Sequence, residues 1–250
     1  MFPLRDDNPS LHTPWVTYAI IVLNLLTWGL LQGFGTDPAL ARSLCLHALI
    51  PGDLLNLATV GTRIPLTEEL SCLIDGSGSS STLVSSMFMH GGWLHLIGNL
   101  WFLWIFGDNV EDALGSFRFA LFYLLCGLAA AGAQIGTDPD SLIPMVGASG
   151  AIGGVMGAYA LLYPHARIQM LLVLGFFVTT LAVPAFVMLG YWFLLQLLGG
   201  LPALKSSTGG VAFWAHIGGF LAGLALVLPM RNPARTAEAR PVRGNSRRNF

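Results

Sequence analysis

Charge is scarce in this chain. Only 10% of its 250 residues are Asp, Glu, Lys or Arg, where soluble domains carry about 25%. That deficit excludes an ordinary soluble surface, and a net charge of −1 excludes a basic nucleic-acid-binding face. Cysteine is scarcer still. Cys45, Cys72 and Cys126 form no CxxC pair and no zinc-ligand spacing, which argues against a metal site. Cys45 and Cys72 share one loop and would pair only in an oxidising compartment, while Cys126 lies in an apolar run and reads as packing.

What the chain has instead is apolar length: 54% of its residues are hydrophobic. Runs long enough to cross a bilayer as helices lie at 15–34, 91–107, 117–135, 147–163, 183–201 and 211–229. The first is a retained span and not a signal peptide, since Arg5 ahead of it is outnumbered by Asp6 and Asp7. The expectation is an all-α integral membrane bundle of six transmembrane helices. Its parts are a cytoplasmic segment 1–14, a membrane domain 15–230, and a basic tail 231–250 whose composition points to disorder. The apolar run 168–182 is too short for a further span. It reads as a shallow or re-entrant entry to the fifth helix, broken at Pro184.

Six spans put both termini on one side. With that side cytoplasmic, nine cations lie inside: Arg5, Arg118, Arg167, Arg231, Arg235, Arg240, Arg243, Arg247 and Arg248. Arg42, Arg63 and Lys205 lie outside, and the excess inside is the expected bias. Outside, Glu68, Glu69, Asp138 and Asp140 read as solvated charge, and "DGSGSSS" at 75–81 as a flexible stretch. With no transit peptide visible, a bacterial cytoplasmic membrane is the expected location. The long connection 35–88 contains "LCLHALIPGDLLNLATV", whose helical apolar spacing places it at the outer interface. "DNVEDALG" at 108–115 reads as a capped cytoplasmic turn.

The six spans hold no Asp, Glu or Lys, which argues against a proton or ion relay. The polar residues they do hold are costly there and mark function. The second span opens "HGGWLHLIGNLWFLW", with His90 at its mouth and His95 and Asn99 four apart on one face. The fourth carries Ser149 and the sixth His216. All three helices run the same way, so Asn99, Ser149 and His216 reach one depth below the outer surface.

Glycines make a close meeting possible. Gly153 and Gly157 in the fourth span, and Gly219 and Gly223 in the sixth, are Gly-x-x-x-Gly pairs that let helix backbones approach. A short serine hydroxyl then comes within reach of a histidine. Such a pair supports nucleophilic attack, with His216 as base. The oxyanion that forms needs donors, for which Asn99, His95 and the Ser149 backbone N–H are candidates. No acid is available to orient His216, so the expected unit is a dyad.

Taken singly, these residues have blander roles open to them. Ser149 alone could bond a helix carbonyl, and His216 alone could line a proton path. His90 and His95 are five apart without an intervening Glu, which does not fit a zinc helix. His90 reads as a structural residue tying the first loop to the helix mouth.

At these residues the chain resembles the rhomboid intramembrane serine proteases. The matching elements are "HGGWLHLIGN", "GASG" and "AHIGGFLAG", in family order on the second, fourth and sixth spans. The resemblance implies Ser149 as nucleophile, His216 as base, and His95 with Asn99 in the oxyanion hole. Gly147, Ala148 and Gly150 would shape the entry to the nucleophile helix. It also implies cleavage of other proteins' transmembrane segments near the outer face, without metal or nucleotide; the other reading is a catalytically silent relative that binds membrane clients. Two features depart from the family. The 35–88 loop has no tryptophan to brace it, and Gly153 stands where some members stack a tyrosine on the histidine, so Trp214 or a residue of another helix must hold His216.

Overall fold

A computed structural model describes residues 2–66, 70–76, 78–203 and 211–238. In chain order the elements are β1 (Phe2–Asp6), α1 (Trp15–Leu30), α2 (Ala39–His47), α3 (Pro51–Leu54), β2 (Arg63–Pro65), β3 (Ser71–Leu73) and α4 (Thr82–Ser85). Then come α5 (Trp93–Leu114), α6 (Ser116–Thr137), α7 (Ser149–Leu162), β4 (Arg167–Leu174), β5 (Phe177–Pro184), α8 (Ala185–Ala203), α9 (Phe213–Met230) and α10 (Pro233–Glu238). The chain is mostly helical. Among the described residues α6, α8 and α9 are long and apolar enough to cross a membrane, and α1 and α7 are shorter apolar helices. Ser77, Glu68, Glu69, Lys205, Arg240, Arg243, Arg247 and Arg248 lie outside the described residues.

The helix α7 is the axis of the bundle. Every residue from Gly150 to Tyr159 is buried, so this helix has no lipid-facing or solvent-facing stripe. It packs on α5, α6, α8 and α9. Its backbone touches that of α9 because glycines line the seam. A Cβ on Gly219 would overlap the Gly150 carbonyl, and one on Gly223 would overlap that of Gly154. The glycines opposite Gly219 and Gly223 are therefore Gly150 and Gly154. Gly153 and Gly157 flank this seam, facing the backbone of His216 and Phe220.

Two expectations need correction. The fold is not all-α: 168–182 forms most of an antiparallel hairpin, β4–β5, whose first strand also pairs with β1. Gly175, at φ +60°, turns the hairpin, and α8 begins directly after Pro184. Apolar composition could not separate this hairpin from a helix, because Val173, Phe176, Phe177 and Val178 face outward from it. Second, 108–115 is not a separate connection. The helix α5 runs on to Leu114, and a single residue at positive φ, Gly115, makes the turn into α6. The tail begins with a short helix, α10. Pro233 starts that helix well, and the Asn232 side chain accepts from the Ala234 N–H. The remainder of the tail lies outside the described residues.

Long-range polar contacts replace the missing caps. Pro14 precedes α1 and offers its N-terminus no side-chain acceptor. The buried Glu111 carboxylate of α5 serves instead, accepting from the backbone of Val16 at 3.0 Å and Thr17 at 2.8 Å, and from the Ser116 hydroxyl at 2.6 Å. The 35–88 connection has its own small apolar core of Ile50, Ile64, Cys72 and Ile74. A Cys45–Cys72 disulfide ties α2 to β3. Gln32, just past α1, bonds both backbone groups of His90, at 2.9 and 2.7 Å. Trp28 and Phe34 pack against Trp93. These contacts brace the loop from the α1 side, without a tryptophan in the loop itself.

At the other end of α7 from Ser149, the Tyr159 hydroxyl donates to Asp6 of β1. Burial pushes the Asp6 carboxyl up to about 6, from 3.8. Between these values the folded chain binds the extra proton, so this contribution to stability is complete below about pH 4 and lost above about pH 6. Relative to wild type, Asp6→Asn is expected to gain stability as pH rises from 4 to 6 and then level off. The gain is on the order of 1 kcal/mol after solvent screening. Melting curves in detergent across this range check the sign; a constant offset between the two proteins would contradict it.

Candidate functional site

Ser149 is the first residue of α7, so its N–H has no acceptor within the helix. The turn that delivers it depends on Gly147, at φ +121°, where an L side chain would be strained. The Gly147 N–H is pinned by the Ser86 carbonyl at 2.9 Å, and Ala148 is fully buried. Because α7 and α9 touch through glycine, Ser149 Oγ lies 2.8 Å from His216 Nε2.

Two nitrogens of α5 converge beside this pair. Seen from Gly147, a Cβ at that residue would come within 2.6 Å of His95 Nε2 and 3.5 Å of Asn99 Nδ2. The Asn99 amide nitrogen is buried without a hydrogen-bond partner among the described residues. Such idle buried donors are rare and need an explanation. The Gly91 N–H approaches His95 Nδ1 at 3.4 Å, so the ring proton of neutral His95 belongs on Nε2, the side facing Gly147. His95, Asn99, Ser149, Trp192 and His216 line one cavity of about 750 Å³.

His90 is fully buried, with its ring edge-on to that of His95 at 5.2 Å. Burial pushes its pKa down to about 3, so the ring is neutral. Its link to the first loop is through its backbone and Gln32.

Beyond Ser149, the side-chain contacts of His216 come from α8. Its Nδ1 lies 2.7 Å from Gln196 Oε1, and its ring lies against Trp192 with centroids 5.8 Å apart. Trp192 fills space beside Gly153: a Cβ there would lie 3.7 Å from the indole. Trp214, one of the suggested holders, instead donates to the Gly200 carbonyl. Sequence reasoning missed Gln196 and Trp192. The signal for Gln196 was available, because "YWFLLQLLGG" has one amide in an apolar span, the criterion that picked out Ser149 and His216.

A family model of the rhomboid domain matches residues 77–233. The chain belongs to the rhomboid family. RHOMBOID-like protein 5 of Arabidopsis thaliana is 29% identical over 244 residues, covering 90% of this chain and 72% of that protein. Rhomboid protease GluP of Bacillus subtilis is 34% identical over 147 residues, 59% of this chain and 26% of its own length. Rhomboid protein 1, mitochondrial, of Saccharomyces cerevisiae is 28% identical over 152 residues, 58% of this chain. The match covers 40% of that yeast protein, so two of these three relatives are matched over less than half of their length. Like its family, this rhomboid is an integral membrane protein.

Proposed function

We propose that this rhomboid is an intramembrane serine endopeptidase that cleaves transmembrane segments of other membrane proteins near the outer face. The observation that carries this reading is the 2.8 Å contact between Ser149 Oγ and His216 Nε2. In it, six helices (α1, α5, α6, α7, α8 and α9) cross the membrane with both termini cytoplasmic, in line with the distribution of basic residues. The disulfide in the 35–88 connection agrees with an oxidising outer compartment.

In this mechanism Ser149 Oγ attacks the scissile carbonyl carbon while His216 Nε2 takes the hydroxyl proton. The Asn99 amide, the His95 Nε2–H and the Ser149 N–H receive the oxyanion, where the α7 dipole adds to their effect. Collapse breaks the C–N bond, and the imidazolium returns its proton to the leaving amine. Water then attacks the acyl ester as His216 takes its proton. Collapse breaks the C–O bond to Ser149, the imidazolium returns that proton to Ser149 Oγ, and the new carboxyl terminus leaves. Asn99→Ala removes one oxyanion donor. It is expected to lower kcat by about 10²–10³-fold with little change in KM, measured on a quenched single-span substrate.

The decisive experiment reconstitutes the full chain with single-span substrates in liposomes and maps the cut by mass spectrometry. Peptide bonds in a helix are shielded, so a span with glycine near the outer interface should be cut faster than a poly-leucine span. Binding of both spans with cleavage of neither would favour the catalytically silent, client-binding alternative.

A further inference from the structure

Building on the protease reading, we infer that Gln196 is the positioning residue of this site: its side-chain oxygen holds His216 in the tautomer that can accept the Ser149 proton. One carbonyl fixes the whole chain of donors. Gln196 Nε2 lies 3.4 Å from the Trp192 carbonyl, one turn back on α8. A carbonyl only accepts, so the amide nitrogen must face it and the amide oxygen must face the histidine. That oxygen, 2.7 Å from His216 Nδ1, also only accepts, so Nδ1 carries the ring proton. Nε2 of the neutral ring is then left bare, 2.8 Å from the Ser149 hydroxyl. The opposite tautomer would set two acceptors against each other at Nδ1, and its Nε2–H would donate to the hydroxyl instead of taking its proton.

The alternative is that Gln196 is merely a buried amide satisfied within its own helix. Asn24 on α1 shows what that looks like. Its amide nitrogen bonds the Ile20 carbonyl at 2.7 Å, and its oxygen is buried without a partner among the described residues. Gln196 makes the same backward bond, but its oxygen is committed to the imidazole. It is 8% exposed, and Trp192 on the same helix face packs on the same ring. Two adjacent turns of α8 therefore hold His216, one by hydrogen bond and one by ring contact. An amide suits this place because it orients the ring without bringing a charge into an apolar helix, where an unpaired carboxylate is costly.

The test uses full-length protein in liposomes, labelled with ¹⁵N-histidine, as wild type, Gln196→Met and Gln196→Glu. Methionine matches the length of glutamine but accepts only weakly, whereas glutamate keeps a strong acceptor. Gln196→Met is expected to lower kcat by about 10- to 100-fold with KM little changed. Its His216 nitrogen signals should move from the Nδ1–H form towards a mixture of tautomers. Gln196→Glu should keep the Nδ1–H form and a higher kcat than Gln196→Met. A wild-type tautomer and wild-type kcat in Gln196→Met would overturn the assignment. If that variant does not fold, the glutamate variant decides, and loss of the Nδ1–H form there overturns it equally. Wild-type protein that cleaves nothing, yet loses Nδ1–H in Gln196→Met, would sustain the positioning role and sink the protease reading instead.

Discussion

Ser149→Ala and His216→Ala are each expected to lower kcat/KM on a single-span substrate by about 10⁴-fold or more, with the double variant no worse than the weaker single. The two groups act as one unit. Without His216 the hydroxyl has no base at 2.8 Å, and without Ser149 the base has no nucleophile to activate. Losses that multiplied in the double variant would mean that the residues act separately, against the mechanism proposed here. Folding should be spared in Ser149→Ala, because the serine side chain does not cap α7. A fluorophosphonate probe provides a direct check on the nucleophile. Labelling should disappear in Ser149→Ala and fall sharply in His216→Ala. Labelling that persists in Ser149→Ala would place the reactive hydroxyl elsewhere.

Much of the arrangement was legible because the lipid environment makes polar residues conspicuous. Ser149, His216 and Asn99 stood out against apolar helices, and the glycines explained how a short hydroxyl could meet a ring on the next helix. The register of that contact was not legible. Both Gly150/Gly154 and Gly153/Gly157 are spaced four apart, and only the rotation of α7 decides which pair faces Gly219 and Gly223. The β4–β5 hairpin was hidden for a different reason. A continuous apolar run has neither a period of two nor one of 3.6, so its composition fits a strand or a helix equally. Glu111 and Gln32 act across about 95 and 58 residues of sequence, and no local pattern announces such partners. Gln196 was legible as a lone amide in an apolar span. Its role was not, because a neutral amide carries none of the charge by which an acid marks itself as a histidine's partner.

Gly219→Ala and Gly223→Ala are expected to be the most damaging small substitutions in the chain. A methyl group at either position meets a carbonyl oxygen of α7, a backbone atom that cannot swing aside as a side-chain end can. Ordinary overpacking of a core costs about 1–3 kcal/mol, and here relief requires whole helices to separate, so a loss of at least about 3 kcal/mol is expected. Function should suffer beyond stability. Gly219 lies three residues after His216, and Gly150 directly follows Ser149, so any widening of this seam is transmitted to the 2.8 Å contact. A displacement of about 1 Å at reacting groups can cost about 10²-fold in rate. Gly132→Ala on α6 provides the matched control: a Cβ there meets nothing within 4 Å, so exchanging helical glycine for alanine should be neutral or slightly stabilising. The measurements are melting temperature in detergent and kcat in liposomes for all three variants. Wild-type melting and turnover in Gly219→Ala would mean that backbone contact between α7 and α9 does not hold the site together. Loss in both seam variants with Gly132→Ala unaffected would tie serine–histidine proximity to the absence of two β-carbons.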